Sequence, residues 1–539
     1  MSRPSDGSRS VSGALSAAGR LLRDRPAVVL PAYLLAVGLT GAARVPVLVG
    51  LAVAVGSLAV TGRLERLVRA GVELQEAVRE TDATGAGGLG GAGGGQGVPD
   101  PAVDAFGDAV ANAVTPTVVA AVGLGVVGAF VVGYLARAVA AAVTYGTVWA
   151  GLDGRRPLVS GVRAAGRWRT FLGIALVRSV VTLVALGLPL FVGLNLAVSP
   201  VVLAQQDASA AAALAVLLVV ALTGLGVVVV LVAAFLLVFA ESAAVVDDRG
   251  AWGSIRASLG FVRRQPGQSV GFALVAVGAY VAVAVGVGVA NAAGAGSLGG
   301  IVLPLLVAPF LDAGATALYA GVDDADGAAA TDATDDDRPG VADRLRRGLA
   351  LGWAELRGFL RSHPLSVMAA LGLLTGGIAA GYALTAPYGL AAAGPTDVAG
   401  VFGAVAVGPF VTIAANNWLV SVGLAYGGVA FGLPAVSGLV FNGVLVGALA
   451  GVFDRTAFLA LVAPHGVLEL PVIAVAGGLG LHLGGVGWRA VRGRADAETV
   501  AGELERAAWV LVGIGILLVV ASAIEAFLTP RIAAAVLGG

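Results

Sequence analysis

Seven polar side chains of the second half stand inside otherwise apolar stretches: Asn416, Asn417, Asn442, His465, Glu469, His482 and Glu525. A carboxylate surrounded by hydrocarbon must find a partner or take up a proton, because an unpaired buried charge is costly. His465 and Glu469, in PHGVLELP, are four residues apart and therefore share a helix face. That spacing suits a proton relay, a metal ligand pair or a clamp between helices. Pro464 and Gly466 flank the histidine, which places it at a helix start near the external end of a span. There the imidazole would accept from backbone amides and donate to Glu469, and this structural pair is the expected role. The chain has only three histidines and no HExxH or comparable cluster, so neither a metal nor a cofactor is expected. Asn442, followed by Gly443 and Gly447, offers one amide on a small-residue face, which suits close packing with an interhelical hydrogen bond. The same packing role is expected for Asn416 and Asn417. In the first half, Glu241, Asp247 and Asp248 precede four arginines at a span end, where Glu241 is expected to pair with one of those that follow.

Composition limits the chemistry further. All 33 basic residues are arginine and cysteine is absent, which excludes Schiff-base lysines, thiolate sites and disulfides. No phosphate-binding glycine loop, dinucleotide fingerprint or serine elbow occurs. The chain is therefore not expected to be an enzyme. Its short, membrane-adjacent basic groups do not suit nucleic acid.

The elements that hold these residues belong to a membrane. Apolar residues make up 58% and charged residues 12% of the 539, with a mean hydropathy of +0.93. Too few polar side chains remain to cover a soluble surface of that size. The fold class is all-α, a polytopic membrane protein of about 13 transmembrane helices (range 11–15) with amphipathic interfacial helices. Spans are expected to begin near Ala27, Val45, Thr117, Ala138, Phe171, Ala210, Val270, Gly299, Leu365, Val401, Leu433, Pro464 and Ala507. The pairs near 27 and 45 and near 117 and 138 run together, so each could be one long helix. Val401 to Phe431 exceeds one crossing and holds Pro409 with the asparagine pair, which predicts a broken helix. Arginines gather at Arg20–Arg25, Arg63–Arg69, Arg155–Arg169, Arg249–Arg264, Arg344–Arg361 and Arg489–Arg506. The positive-inside rule puts all of them on the cytoplasmic side of a multi-pass cell-membrane protein, with the amino terminus inside and the carboxyl terminus outside.

Seven aspartates between Asp323 and Asp337 mark a flexible linker. The expected organisation is a multi-span domain over 1–320, the linker over 321–340 and a second membrane domain over 341–539. The acidic loops and the lack of lysine look halophile-like. Three segments repeat one pattern, an amphipathic stretch and then arginine close to a proline that opens an apolar run: Pro26, Pro266 and Pro364. A fourth, LVSGVRAAGRWRTFLGIAL from Leu158, keeps the arginines without the proline. Such segments anchor at the interface, and Arg263, Arg264, Arg357 and Arg361 could reach lipid headgroups. The expected partners are membrane lipids and either membrane-protein partners in a complex or further copies of the chain.

FLRSHP, the NNWLVSVGLAYGGVAFGLPAVSGLVFNGVLVG block, PHGVLELP and IEAFLTP follow one another at a characteristic spacing. From Leu345 onward this arrangement resembles the stage II sporulation protein M family of integral membrane proteins. The resemblance carries Asn417, Asn442, His465, Gly466, Glu469 and Glu525 as characteristic polar residues without assigning them chemistry. It implies a scaffold in envelope organisation, since the family's namesake helps to localise a peptidoglycan-degrading complex. Residues 1–320, chiefly FAESAAVVDDRGAWGSIRASLGFVRRQPG, look like the membrane region beside glycerophosphodiester phosphodiesterases, without the catalytic barrel. The alternative to a scaffold is a transporter or lipid-handling permease that uses the buried polar residues of the second half.

Overall fold

The computed structural model describes residues 10–83, 100–197, 209–322, 340–388 and 407–537. The acidic linker from Asp323, the glycine-rich stretch 84–97 and the start of the span expected at Val401 lie outside these residues. Among the described residues there is no strand, and eleven helical stretches are long and apolar enough to cross a membrane. Eleven replaces thirteen because both doubtful pairs are single crossings. Helices α2 (Pro26–Gly41) and α3 (Arg44–Val60) run in series along α6 (Pro116–Leu152). A Cβ on Gly50 would meet Ala121, one on Gly128 would meet Pro46, and one on Gly151 would meet Leu21 from the preceding helix α1 (Val11–Asp24). The contacts therefore march antiparallel along the whole of α6.

One sequence expectation fails here. Arg63, Arg66 and Arg69 belong to α4 (Arg63–Ala83), which pairs with α5 (Asp100–Ala113) beyond the far end of α3. With one crossing between them, this cluster lies opposite Arg20–Arg25. Its charge is locally countered, since Arg69 pairs with Glu65 one helical turn away.

The next elements are α7 (Pro157–Ala164), α8 (Trp168–Thr182), α9 (Leu188–Ala197), α10 (Ser209–Leu236), α11 (Ala240–Val246), α12 (Ala251–Arg264), α13 (Pro266–Ala292), α14 (Gly299–Val302) and α15 (Ala308–Ala320). After the linker come α16 (Val341–Ser362), α17 (Pro364–Thr385), α18 (Val407–Gly427), α19 (Leu433–Val452), α20 (Arg455–Val491), α21 (Ala497–Ala523) and α22 (Thr529–Leu537). Pairs that bridge these elements, such as Arg167 with Asp248 and Arg156 with Glu498, gather the other arginine-rich segments at one end of the bundle. We call this end the arginine-rich face.

The repeated pattern is one structural joint used three times. The amphipathic helices α1, α12 and α16 each stop one residue short of a proline that opens α2, α13 or α17. The joint residues Arg25, Gln265 and His363 have φ, ψ of −130°, 41°, of −126°, 57° and of −128°, 46°. A following proline excludes the helical region for the residue before it, so the chain turns there. Each joint N–H still donates four residues back, to Leu21, Phe261 and Phe359, which closes the amphipathic helix. The proline has no N–H to leave unpaired at the next helix start. Where the proline is missing, after α7, the chain passes through the 3₁₀ turn Ala165–Arg167 into α8.

The largest apolar cluster joins the two halves of the chain. Leu34 and Leu39 of α2 and Val143 of α6 share a cluster with Tyr426, Leu439, Leu479 and Leu511. α17 and α19 approach each other backbone to backbone. A Cβ on Gly443 would lie 2.2 Å from the Leu374 carbonyl oxygen, and one on Gly447 only 1.9 Å from that of Ile378. Only hydrogen fits at these positions, as the small-residue face predicts.

Candidate intramembrane sites

Among the described residues, two polar clusters lie deep in the spanning helices, one in each half of the chain. The second-half cluster is built on α20 and α21. α20 starts at Arg455, where the Asp454 carboxylate accepts from the N–H groups of Thr456 and Ala457 at 2.9 and 3.0 Å. The PHGVLELP sequence therefore lies inside a 37-residue helix, not at a helix start. Pro464 and Pro471 are tolerated in the interior because neighbouring helices and side chains serve the freed backbone groups. The broken helix expected around Pro409 is also absent from the described residues: Val407–Gly427 is one helix with Pro409 in its first turn.

His465 and Glu469 do share a face, but no hydrogen bond joins them. The His465 ring nitrogen Nδ1 lies 3.4 Å from the hydroxyl of Thr529. Oε2 of Glu469 is buried and has no hydrogen-bond partner. Glu525 completes the group: one ligand atom each from His465, Glu469 and Glu525 lie within 4.8 Å of one another. Glu525 arrives there on a π-helical segment, Ile524–Leu528, between α21 and α22. Pro530 supplies no N–H to the carbonyl four residues back, so the backbone widens by one residue. The Thr529 hydroxyl donates to the Ile524 carbonyl at 3.2 Å.

The asparagines are arranged differently from expectation. Asn442 donates to the Gly438 carbonyl of its own helix at 2.7 Å rather than across to another helix. Its neighbours Gly443 and Gly447 bring the backbones so close that they provide the contact without the amide. Asn416 is exposed and lies 3.5 Å from Asn417. The neighbouring Trp418 and Tyr426 tie α18 to α21, donating to the Leu511 and Leu504 carbonyls at 3.1 and 2.7 Å.

The first-half cluster centres on Asp312 of α15, a residue absent from the sequence-derived candidates. Its signal is nonetheless there, a single carboxylate inside the apolar span Gly296–Ala320. The Tyr33 hydroxyl donates to Oδ2 and the Tyr145 hydroxyl to Oδ1, each at 2.9 Å. α2 and α6 thus both close on α15. Beside them Arg178 of α8 makes a two-pronged pair with Glu241 and also donates to the Leu237 carbonyl at 2.6 Å. Glu241 therefore pairs with an arginine of a preceding span, not with one of the segment that follows it. The guanidinium fork matches both carboxylate oxygens, which a distant surface arginine could not do.

A ladder links this cluster to the arginine-rich face. The Thr316 hydroxyl donates to the Asp312 carbonyl at 2.7 Å, so the Ser242 hydroxyl, 3.1 Å away, must donate to Thr316. Further out, the Tyr319 hydroxyl donates to Asp247, which also pairs with Arg249 at 3.0 Å. A cavity of about 220 Å³ opens there, lined by Asp247, Arg249, Arg256, Arg264 and Tyr319. Arg263, Arg264, Arg357 and Arg361 are exposed at this end.

At the same face His363, the third joint residue, meets the ring of His482 edge-on at 4.2 Å, and His482 is 3.1 Å from Glu503. Burial, then the neighbouring His482 ring, lowers the pKa of His363 from the ordinary histidine value.

Residues 366–530 match the family model described as stage II sporulation protein M. The match takes in nearly all of α17, the whole of α18 to α21 and all seven polar residues read from the second half. It does not reach residues 1–320, so the phosphodiesterase-associated resemblance there gains no support from it. No curated protein and no solved structure matches the chain.

Proposed function

We propose that the protein is a non-enzymatic membrane scaffold, a helical body that holds partner proteins and lipids in a fixed arrangement at the envelope. The observation that carries this reading is the placement of the second-half polar residues. A permease would need a polar cavity reaching Asn417, Asn442 and Glu469. Instead, Asn442 donates its amide to the Gly438 carbonyl of its own helix, beside Gly443 and Gly447, which pack directly on the α17 backbone. Residues such as Asp312 and Glu241 are held in closed pairs that fix helices to one another. The family matched by residues 366–530 is one of membrane proteins, which agrees with the membrane part of this reading.

In this proposal the arginine-rich face is cytoplasmic, with the amino terminus inside and the carboxyl terminus outside. The cavity lined by Arg249, Arg256 and Arg264 then meets anionic headgroups. Crosslinking followed by affinity capture from native membranes tests the scaffold role. It should recover a reproducible protein partner, and recovery of the chain alone would count against the proposal. Since the protein lacks cysteine, a single cysteine at Ala328 reports sidedness, and labelling from outside intact cells would reverse it.

A further inference from the structure

We infer that His465, Glu469 and Glu525 form a binding site for one divalent first-row transition-metal ion. Three observations converge on it. First, the donor atoms come from two separate segments and still lie within 4.8 Å of one another. The centre of a triangle with 4.8 Å sides is about 2.8 Å from each corner, so small side-chain rotations reach the roughly 2.0–2.2 Å of nitrogen and oxygen ligands around zinc. Second, Glu469 Oε2 is buried and unpartnered, which natural structures rarely leave without a reason. Third, Glu525 stands on a π-helical turn, a local widening that recurs at functional positions. Without that turn the residues beyond it would rotate by about one position, and Glu525 would face elsewhere.

The chemistry of the donors selects the class of ion. One imidazole and two carboxylates suit zinc, manganese or ferrous iron, and the absence of any thiolate disfavours soft ions. Two negative charges and a neutral imidazole around a dication leave the site formally neutral, the least costly state in hydrocarbon. The Thr529 hydroxyl, 3.4 Å from His465 Nδ1, is placed to orient the ring as an outer partner. An open groove lined by Thr456, Leu459, Ile532 and Pro464 lies next to the histidine, on the side away from the arginine-rich face. The bound ion would clasp α20 to the turn before α22. This inference concerns the site alone and does not depend on the scaffold reading.

The test uses the full-length, tag-free protein in detergent, stripped with chelator and then titrated with zinc, manganese or cobalt. One ion per chain is expected to be retained after desalting, with a rise in the melting temperature and, for cobalt, visible absorption bands of a nitrogen- and oxygen-ligated ion. Glu525→Gln and His465→Asn keep size and most hydrogen bonding. Each is expected to weaken binding by more than the roughly 10–100-fold that loss of an outer partner costs. Asn442→Ala serves as the control and should bind as the parent does. Sub-stoichiometric retention by the parent, with no shift in melting temperature, would overturn the inference whether or not the variants fold. Binding that Glu525→Gln leaves unchanged would also overturn it.

Discussion

The two intramembrane clusters solve the same problem in opposite ways. Around Asp312 each carboxylate oxygen has its own phenolic donor, and the adjacent Arg178 and Glu241 neutralise one another. Around Glu469 a histidine and two carboxylates converge, yet one carboxylate oxygen has no partner. A closed network gains rigidity from its low-dielectric setting, while an open one keeps a standing electrostatic demand. The first cluster thus behaves as a fastening and the second as a receptor. Both contain two carboxylates set in apolar spans, so residue type alone does not separate them. What separates them is the inventory of neighbouring donors.

The sharpest way to break this contrast is to open the closed cluster. Arg178→Leu should leave Glu241, 8% exposed, without its charge partner. Removing one member of a buried pair costs roughly 3–5 kcal/mol, and the 38% exposure of the Arg178 side chain discounts this to about 2–4 kcal/mol. Thermal unfolding in detergent measures the loss, and the double variant with Glu241→Leu should recover most of it. If Arg178→Leu melts like the parent, the fastening role is wrong.

A smaller effect is expected from Tyr145→Phe, which deletes one of the two donors to Asp312. Hydrogen bonds to charged groups contribute roughly 1.5–3 kcal/mol, and the ring's packing is retained. Tyr33→Phe should match it, since the two donors are equivalent in distance. A large difference between the variants would show that only one oxygen carries the burden.

The smallest effect sharpens the comparison from the other side. In chelator-stripped protein, Glu469→Gln should change stability by less than about 0.5 kcal/mol or raise it, because the removed charge had no partner to lose. Glu469→Leu should in this state cost less than the roughly 1–3 kcal/mol of a buried group left without its partner. A loss of that size without metal would mean Oε2 has a partner after all.

How much of this was legible beforehand depended on whether the signal was local. The three proline joints, the small-residue face of Gly443 and Gly447 and the membrane class follow from residues adjacent in sequence, and each appears as read. The start of α20 did not, because Asp454 caps the helix ten residues before the proline pattern that suggested a boundary. The His465–Glu469 spacing was visible, but its meaning turned on Glu525, fifty-six positions later and aimed by a π turn that no periodicity announces. Asp312 was visible as a lone acid, while its tyrosines come from two remote helices whose own sequences give no cue. Arg178 was equally plain and equally mute.

The three joints have a mechanical consequence. Each marks the depth at which an interfacial helix gives way to a spanning one, and three such depths define a plane. A body seated in the headgroup layer at Arg25, Gln265 and His363 would resist tilting about any in-plane axis, as a tripod does on uneven ground. Local thinning or curvature of the bilayer would then load the joints unequally instead of rotating the whole bundle. Of the three feet, only His363 carries a side chain that changes charge on gaining a proton, and burial beside His482 moves that gain below the ordinary histidine range, so the stance has one leg that acid would adjust.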